Sequence, residues 1–488
     1  MKTLYYTTCS YFYPGIGVVL NQVLEDIKNG DEVYWAHCNH ALSDCHFSKG
    51  QKLQCAFCQY GYKQLKGYLS SKVNFTEISR RNKEYEIPRF ANFDDIKRFQ
   101  YRDVKIGYGV LSSYISRTRD NDSDAISSLL QTFIDTIMPE LCSCTDKFYE
   151  LVEDIQPDHI KIYNGRLHEN RFVYDICQSL NIRFSSLEVS GGFNEPYYPM
   201  EYKGALPHSV SLNTQMIHDT WNLSLEPENE KIERSREFYI KRRNGISAGD
   251  KVYVANQVRG LLPESYDNSK ETIVIFNSSA DEISALGEDW EESTRLFKTQ
   301  YDACRFIMSN VSLSVQVFLR IHPNLKGVKF RYHSDLYKLE QEFVNIKVIA
   351  PEDTISSYAL LDIADKVVTF GSTMGIEASY WGKPSIMIGM SFYKMLDVTY
   401  NPQTLDVLKR LLNNSSLSPL NSFNTLKYAY FLMDRKYSVT QISNININPI
   451  SVGRGRWTVQ LFKPLKLWGS NILFGIIRFI LIHIYRKK

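Results

Sequence analysis

Between residues 272 and 388 five short apolar runs recur, and they limit the folds open to this chain more than any other feature. They are Thr272–Phe276, Val315–Ile321, Ile346–Ile349, Lys366–Phe370 and Ser385–Ile388. Each is too short for a core helix and suits a strand buried on both faces. Helical stretches lie between them, including Trp290–Met308 and Leu336–Phe343. Strands alternating with helices predict a doubly wound, mostly parallel sheet. The N-terminal half repeats the rhythm: a strand at Thr3–Thr8, a Pro14-Gly15-Ile16-Gly17 loop, a helix over Val18–Ile27 and a strand at Asp31–Ala36. Residues 59–125 are rich in Lys, Arg and Tyr with weak periodicity, and read as helices and loops. A strand at His159–Tyr163, a helix over Glu169–Leu180 and a strand at Arg183–Val189 follow. The mixed stretch 241–256 reads as a linker.

At 488 residues the chain exceeds one compact core, so two or three domains are expected. The predicted division is 1–240, with a Cys-rich insertion at about 37–60; then 250–430; a return segment 431–463; and a terminal helix 464–488. A formal net charge of +3 gives no reason to expect a nucleic-acid partner. The N-terminal MKTLYYTTCSYFYPGIG lacks the unbroken apolar core of a signal peptide, which predicts a cytoplasmic protein. Nine cysteines in that compartment predict free thiols or metal ligands rather than disulfides.

Open α/β sheets bind ligands beyond the carboxyl ends of their strands. In FGSTMGIEASYWGKPSIMIG, residues 370–389, a strand ends at Gly371, Ser372 and Thr373 and a helix opens at once, with Glu377 in its first turns. Such a turn can cradle a phosphate while Glu377 reaches a ribose, or Ser372 and Thr373 can simply cap the helix. Two more strand ends of this half are polar. Asn277-Ser278-Ser279 precedes Asp281-Glu282, and Arg320-Ile321-His322-Pro323-Asn324 offers Arg320 and His322 to a phosphate or sugar hydroxyl. In the first half, Glu188 ends a strand before Gly191-Gly192 and is the preferred catalytic base, with His322 as the second catalytic candidate. Asn164, Gly165 and Arg166 line the same side as acceptor-side candidates; Glu169 and His208 are weaker choices for the base.

FNSSADE, RIHPN, YALLDIADKVVTFGSTMGIEASYWGKPSIMIG, YNGRLHENR and LEVSGG together resemble bacterial glycosyltransferases of capsule and surface-polysaccharide synthesis, from about residue 155 to 410. The Gly-Ser/Thr-x-Gly-x-Glu-Ala turn is shared more widely, with UDP-GlcNAc 2-epimerases and glycerophosphotransferases of teichoic-acid synthesis. The resemblance implies two Rossmann-like doubly wound domains of glycosyltransferase-B type facing a cleft. It implies a nucleotide-sugar donor on the second domain, with its pyrophosphate on Ser372 and Thr373 and its ribose near Glu377. Arg320 and His322 would face the diphosphate, with Ser278 and Ser279 at the neighbouring strand end. A polysaccharide acceptor, lipid-linked, would enter from the first domain, and no metal cofactor would be required for transfer. The alternatives are a CDP-activated glycerol- or polyol-phosphate transferase and a non-catalytic sugar-nucleotide-binding member of an assembly complex.

Two features stand apart. Cys38, Cys45, Cys55 and Cys58 fall within 21 residues and make a possible zinc or iron–sulfur ligand set, with His37, His40 or His46 as substitutes; ordinary free thiols are the alternative. Cys142 and Cys144 read as structural. Leu467–Tyr485 is almost wholly apolar, carries Arg478 and His483, and is flanked by Lys463, Lys466 and a terminal Arg-Lys-Lys. It predicts an interfacial helix holding the protein on the cytoplasmic membrane surface, with a core or dimer helix as the alternative.

Overall fold

The computed structural model describes residues 1–8, 15–46, 48, 50–190, 198–248, 251–291 and 295–434. Pro14, Gly191, Gly192 and the expected segments beyond residue 434, the apolar terminal helix among them, lie outside the described residues. The chain forms two α/β domains, each built on a doubly wound, mostly parallel sheet as expected.

The first sheet is ordered β3-β2-β1-β4-β5-β6. Its strands are β1 (Lys2–Thr7), β2 (Glu32–Asn39), β3 (Asn74–Ser79), β4 (His159–Tyr163), β5 (Arg183–Ser190) and β6 (Tyr198–Lys203). All pair in parallel except β6, which runs antiparallel to β5 at the edge. Gly15–Gly17, expected in a loop, open the helix Gly15–Lys28 instead. One face of the sheet buries Leu4, Tyr6, Ile160 and Ile162 under helices that include Ser128–Ile155 and His168–Ser179. The other buries Tyr5 and Trp35 with Val19 and Val23 of the first helix.

The second sheet is ordered β11-β10-β7-β8-β9 and is wholly parallel. Its strands are β7 (Thr272–Phe276), β8 (Gln316–Arg320), β9 (Ile346–Ile349), β10 (Lys366–Thr369) and β11 (Ser385–Met387). β7, β8, β10 and β11 are buried at every position, which is why they read as unbroken apolar runs rather than alternating ones. The strand order reverses between β7 and β10, and that switch point opens a crevice at their carboxyl ends.

Helices Val210–Leu223 and Glu228–Arg243 leave the first sheet and pack with Phe423–Met433. The second helix belongs by contact to the second domain, although most of it precedes residue 240: Tyr239 stacks on Tyr380, ring centroids 3.8 Å apart. Met200 and Tyr202 of β6 share one apolar cluster with Ile376, Met387, Tyr393 and Phe431, so the domains meet through a packed core as well as a cleft.

Candidate functional site

Three polar strand ends converge at the switch point of the second sheet. After β10, Gly371 has φ +126°, and a Cβ there would collide with the Met390 carbonyl, so the turn requires glycine. Thr369 Oγ1 accepts from the N–H of Gly371 at 3.3 Å and of Ser372 at 3.0 Å, and Ser372 Oγ accepts from Met374 N at 3.3 Å. Thr369 and Ser372 therefore bond the turn from within, whereas Thr373, at the N-cap of the helix, makes no side-chain cap.

Glu377 is 1 % exposed, and both its oxygens are engaged. Oε1 accepts from Arg242 Nε at 3.0 Å and Oε2 from Tyr358 O–H at 2.6 Å. Arg242 also donates through Nη2 to Thr373 Oγ1 at 3.0 Å, so one guanidinium ties turn and acid together. It reaches the site from the end of helix Glu228–Arg243, within a basic run whose sequence reads as a linker. Arg242 carries no local motif, and Tyr358, although it opens the quoted stretch YALLDIADKVVTFGST, gives no sign of its role; only packing brings their two helices to Glu377.

After β7, Asn277 Oδ1 accepts from His322 N at 2.6 Å and locks the ends of β7 and β8 together. Ser278 pairs with the Gln300 side chain through its backbone N–H and C=O. The Ser278 and Ser279 hydroxyls are buried and have no partner in the structure. Buried hydroxyls are nearly always paired, so this pair stands out beside the crevice.

After β8, Arg320 is 2 % exposed and turns its guanidinium to the Ala350 and Asp353 carbonyls at 2.5 and 3.2 Å, leaving Nε without a partner. The structure thus points its charge at the loop after β9 as much as at the crevice. His322 Nδ1 accepts from Asn324 N at 3.2 Å. Burial, with Arg119 and Arg320 nearby, lowers its pKa to about 4. At neutral pH the ring is uncharged, its Nε2 carries the proton, and it can donate a hydrogen bond but not act as a strong acid. Ser372, Thr373, Glu377, Arg320, His322 and Arg242 surround a recess of about 60 Å³. That is about two waters' share of space, room for a small polar group rather than a whole nucleotide.

The first-domain candidates gather at the carboxyl ends of β4 and β5. Glu188 Oε1 accepts from Tyr163 O–H at 2.8 Å and Val189 N at 2.9 Å, and Oε2 from Asn164 Nδ2 at 2.6 Å. In this state the acid anchors Asn164, which sits at φ +62° and caps the Arg166 N–H. Arg166 donates to Ser112 Oγ at 2.8 Å; burial lowers its pKa to about 10, against the opposing charges of Glu282 and Asp281 across the cleft. Glu169 is fully buried beside His168, and its Oε1 accepts from His46 N at 3.3 Å. His208 lies against residues 286–290 of the second domain. Across the cleft Arg119, which no motif marks, donates to both oxygens of Asp281 at 2.7 and 3.2 Å and to the Asn324 carbonyl at 2.6 Å.

Three of the four clustered cysteines have separate partners. Cys58 contacts the Thr8 carbonyl and His37, Cys55 contacts His40, and Cys45 pairs with Ser48. Burial pushes the Cys38 and Cys45 thiols up to about 12. Among the described residues no group of three or more His, Cys, Asp or Glu side chains is arranged to hold a metal ion. Cys142 and Cys144 are buried in the first core.

No curated protein matches the chain by sequence. Among solved structures it is similar to the KpsC beta Kdo 2,4 transferase of Thermosulfurimonas dismutans, at 15% identity over 56% of this chain and 87% of that one, TM-score 0.31. It is also similar to the UDP-GlcNAc 2-epimerase of Neisseria meningitidis bound to UDP-GlcNAc, at 9% identity over 90% and 97%, TM-score 0.28. Likenesses at these scores transfer neither geometry nor activity. Residues 301–425, which hold Arg320, His322 and the whole 371–377 turn, match the family described as capsule polysaccharide biosynthesis protein. In that stretch, within a two-domain, doubly wound frame, the chain carries the pattern of the capsule polysaccharide biosynthesis proteins.

Proposed function

We propose that this protein is a glycosyltransferase of capsule-type surface-polysaccharide synthesis, taking a nucleotide-sugar donor at the second domain's switch point. The observation that carries the reading is the convergence of three polar strand ends there, two of them inside the family match, with the buried Ser278 and Ser279 hydroxyls unpaired beside them. A diphosphate supplies the acceptors those donors lack. The uncharged His322 adds an N–H donor to the leaving phosphate, and the Arg320 charge lies behind it. Because the recess is narrow, donor entry widens it, and the Arg242–Glu377 tie is the contact that must yield or tilt. Glu377 then turns an oxygen to the ribose.

The acceptor is a polysaccharide end arriving from the first domain past Asn164 and Arg166. Glu188 holds that surface in shape, and its role as base requires Tyr163 or Asn164 to release it. We further propose transfer without a metal cofactor, a lipid-linked acceptor, and attachment to the cytoplasmic membrane surface through the apolar segment 467–485. Among the described residues no helix is long and apolar enough to cross a membrane.

A thermal-shift titration with UDP-, GDP-, CMP-, CDP- and dTDP-sugars tests the donor site, since a ligand of the folded state raises the melting temperature by mass action. One nucleotide class is expected to raise it, unaffected by EDTA. No movement with any of them defeats the reading. A response to CDP-glycerol alone replaces sugar transfer by polyol-phosphate transfer.

A further inference from the structure

Away from the donor crevice, the two domains line a second, half-open cavity of about 800 Å³. Helix His168–Ser179 and residues 203–212 of the first domain form one wall, residues 286–290 of the second the other, and no lining residue is shared with the crevice. Three contacts hold the walls together. Arg171 Nη1 donates to the Leu286 carbonyl at 3.1 Å, Trp290 Nε1 donates to the His208 carbonyl at 2.8 Å, and Lys105 pairs with Glu288.

The polar groups of this cavity are incompletely matched. Asp175 is 8 % exposed; its Oδ1 accepts from Arg171 Nε at 3.2 Å, whereas its buried Oδ2 has no partner. The buried Nδ1 of His208 has none either. Burial, reinforced by Arg166 and Arg171, lowers the His208 pKa to about 3, so the ring is neutral under all ordinary conditions. Two buried groups therefore await hydrogen-bonding partners from whatever fills the space.

The wall does not ask for an anion. Lys105 is paired, and the Arg171 guanidinium is held by Asp175, Leu286 and the rings of Tyr108 and Tyr174, 5.3 and 5.2 Å from its carbon. Asp103, Glu288 and Asp289 make the lining at least as acidic as basic. Besides the exposed Lys203, whose charge the acidic residues of the lining outnumber, what remains is an orphaned carboxylate oxygen, a neutral ring nitrogen, the exposed side chains of Gln178, Ser179 and Ser211, and the half-buried Tyr174. A ligand rich in hydroxyls and free of charge answers that set: each hydroxyl both donates and accepts, and a sugar's C–H face packs on an aromatic ring.

We propose that this cavity is a second carbohydrate site, holding an uncharged internal stretch of the glycan while its end is extended elsewhere. The assignment of that glycan as the acceptor polymer rests on the glycosyl-transfer reading above. Because both domains build the site, a bound chain also favours the closed cleft.

Gly287 offers a way to test it. A Cβ there meets nothing within 4 Å and φ lies outside the left-handed region, so a side chain can start at this position, and Gly287→Trp adds bulk at the wall. Asp175→Asn removes the orphaned acceptor charge. The full-length protein is titrated calorimetrically with oligosaccharides cut by mild acid from the producing strain's own surface polysaccharide, with no nucleotide sugar present. Oligosaccharides are expected to bind, monosaccharides much more weakly, and each variant to weaken binding about tenfold, Gly287→Trp at unchanged melting temperature and Asp175→Asn at a lowered one, because it also takes the charge partner from Arg171. Absence of binding by the parent protein, binding that neither variant alters, or a preference for inorganic phosphate overturns the proposal. If Asp175→Asn misfolds, Gly287→Trp still decides. Nucleotide-sugar binding and transfer without oligosaccharide binding sinks this inference alone. Oligosaccharide binding without any nucleotide-sugar response sinks the transfer reading and leaves a glycan site.

Discussion

At the scale of single residues the turn at 371–377 is held by one buried ion pair. Arg242 and Glu377 have side chains 6 and 1 % exposed, so neither charge has water to fall back on. Removing one partner of such a pair costs about 3–5 kcal/mol, because the other charge stays buried and uncompensated. Arg242→Met is therefore expected to lower unfolding stability by that amount in urea and to abolish the nucleotide-sugar thermal shift. Arg242→Lys keeps the charge but not the fork that spans Thr373 and Glu377, and should fall between the two. Ser278 and Ser279 predict the opposite signature. Their hydroxyls are buried without partners, so Ser→Ala at both positions removes an unmet need rather than a bond. Stability of the unliganded double variant should be unchanged or higher, while its shift with the best nucleotide sugar shrinks. A double variant that loses stability, or that keeps the full shift, shows the hydroxyls to be ordinary packing groups.

At the scale of elements, the parallel strands carry both the fold and its response to acid. His159 opens β4 and meets Ser185 Oγ of β5 at 2.9 Å. Burial, with Lys161 adding to it, lowers its pKa to about 4, and His322 at the end of β8 is lowered likewise. A histidine whose folded pKa lies below the ordinary value near 6.5 binds fewer protons folded than unfolded. Its contribution is thus complete above pH 6.5 and is lost as pH falls toward 4. The melting temperature is expected to drop between pH 7 and pH 5, and His159→Gln to flatten part of that slope; an identical slope in the variant removes β4 from the account. The same strands explain what could be read in advance. β4, β7 and β9 stand where their sequences place them: β7 is buried on both faces and leaves an unbroken apolar signal, while β4 and the edge strand β9 keep enough buried apolar residues to be read despite Lys161 and the exposed Lys347. β3 and β6 were not legible: NFTEIS is half exposed at the sheet edge, and YPMEYK carries a proline and pairs antiparallel at the other edge. Site residues on strand ends, from Ser278 to Glu377, were visible because a turn interrupts an apolar run. Arg242 and Arg119 were not, nor was the role of Tyr358 within its quoted stretch, since their chemistry exists only once remote elements pack.

At the scale of the whole molecule, the cleft is bridged by a small set of polar ties. Lys97 pairs with Glu291 at 2.8 Å, Lys105 with Glu288, and Arg119 clasps both oxygens of Asp281 together with the Asn324 carbonyl. The last is the most consequential. Asp281 has a side chain only 5 % exposed, and it follows the Ser278-Ser279 turn directly. Arg119 itself sits at φ +61° as the left-handed cap of helix Ile106–Thr118, a conformation that a non-glycine residue adopts at some cost. One arginine therefore couples the end of a first-domain helix to two strand ends of the donor crevice. Arg119 is 28 % exposed, which tempers the loss expected from Arg119→Met to about 2–3 kcal/mol. The more telling consequence is geometric. Without this clasp the domains should part, raising the radius of gyration in solution scattering and weakening donor binding although no donor contact has been removed. Pairing Arg119→Met with Asp281→Leu relieves the stranded carboxylate and should restore stability without restoring closure. Scattering profiles identical in the parent and the single variant mean that the apolar cluster around Met200, Ile376 and Tyr393 alone sets the domain arrangement. Arg119 would then act only on the local order of the Asp281 turn.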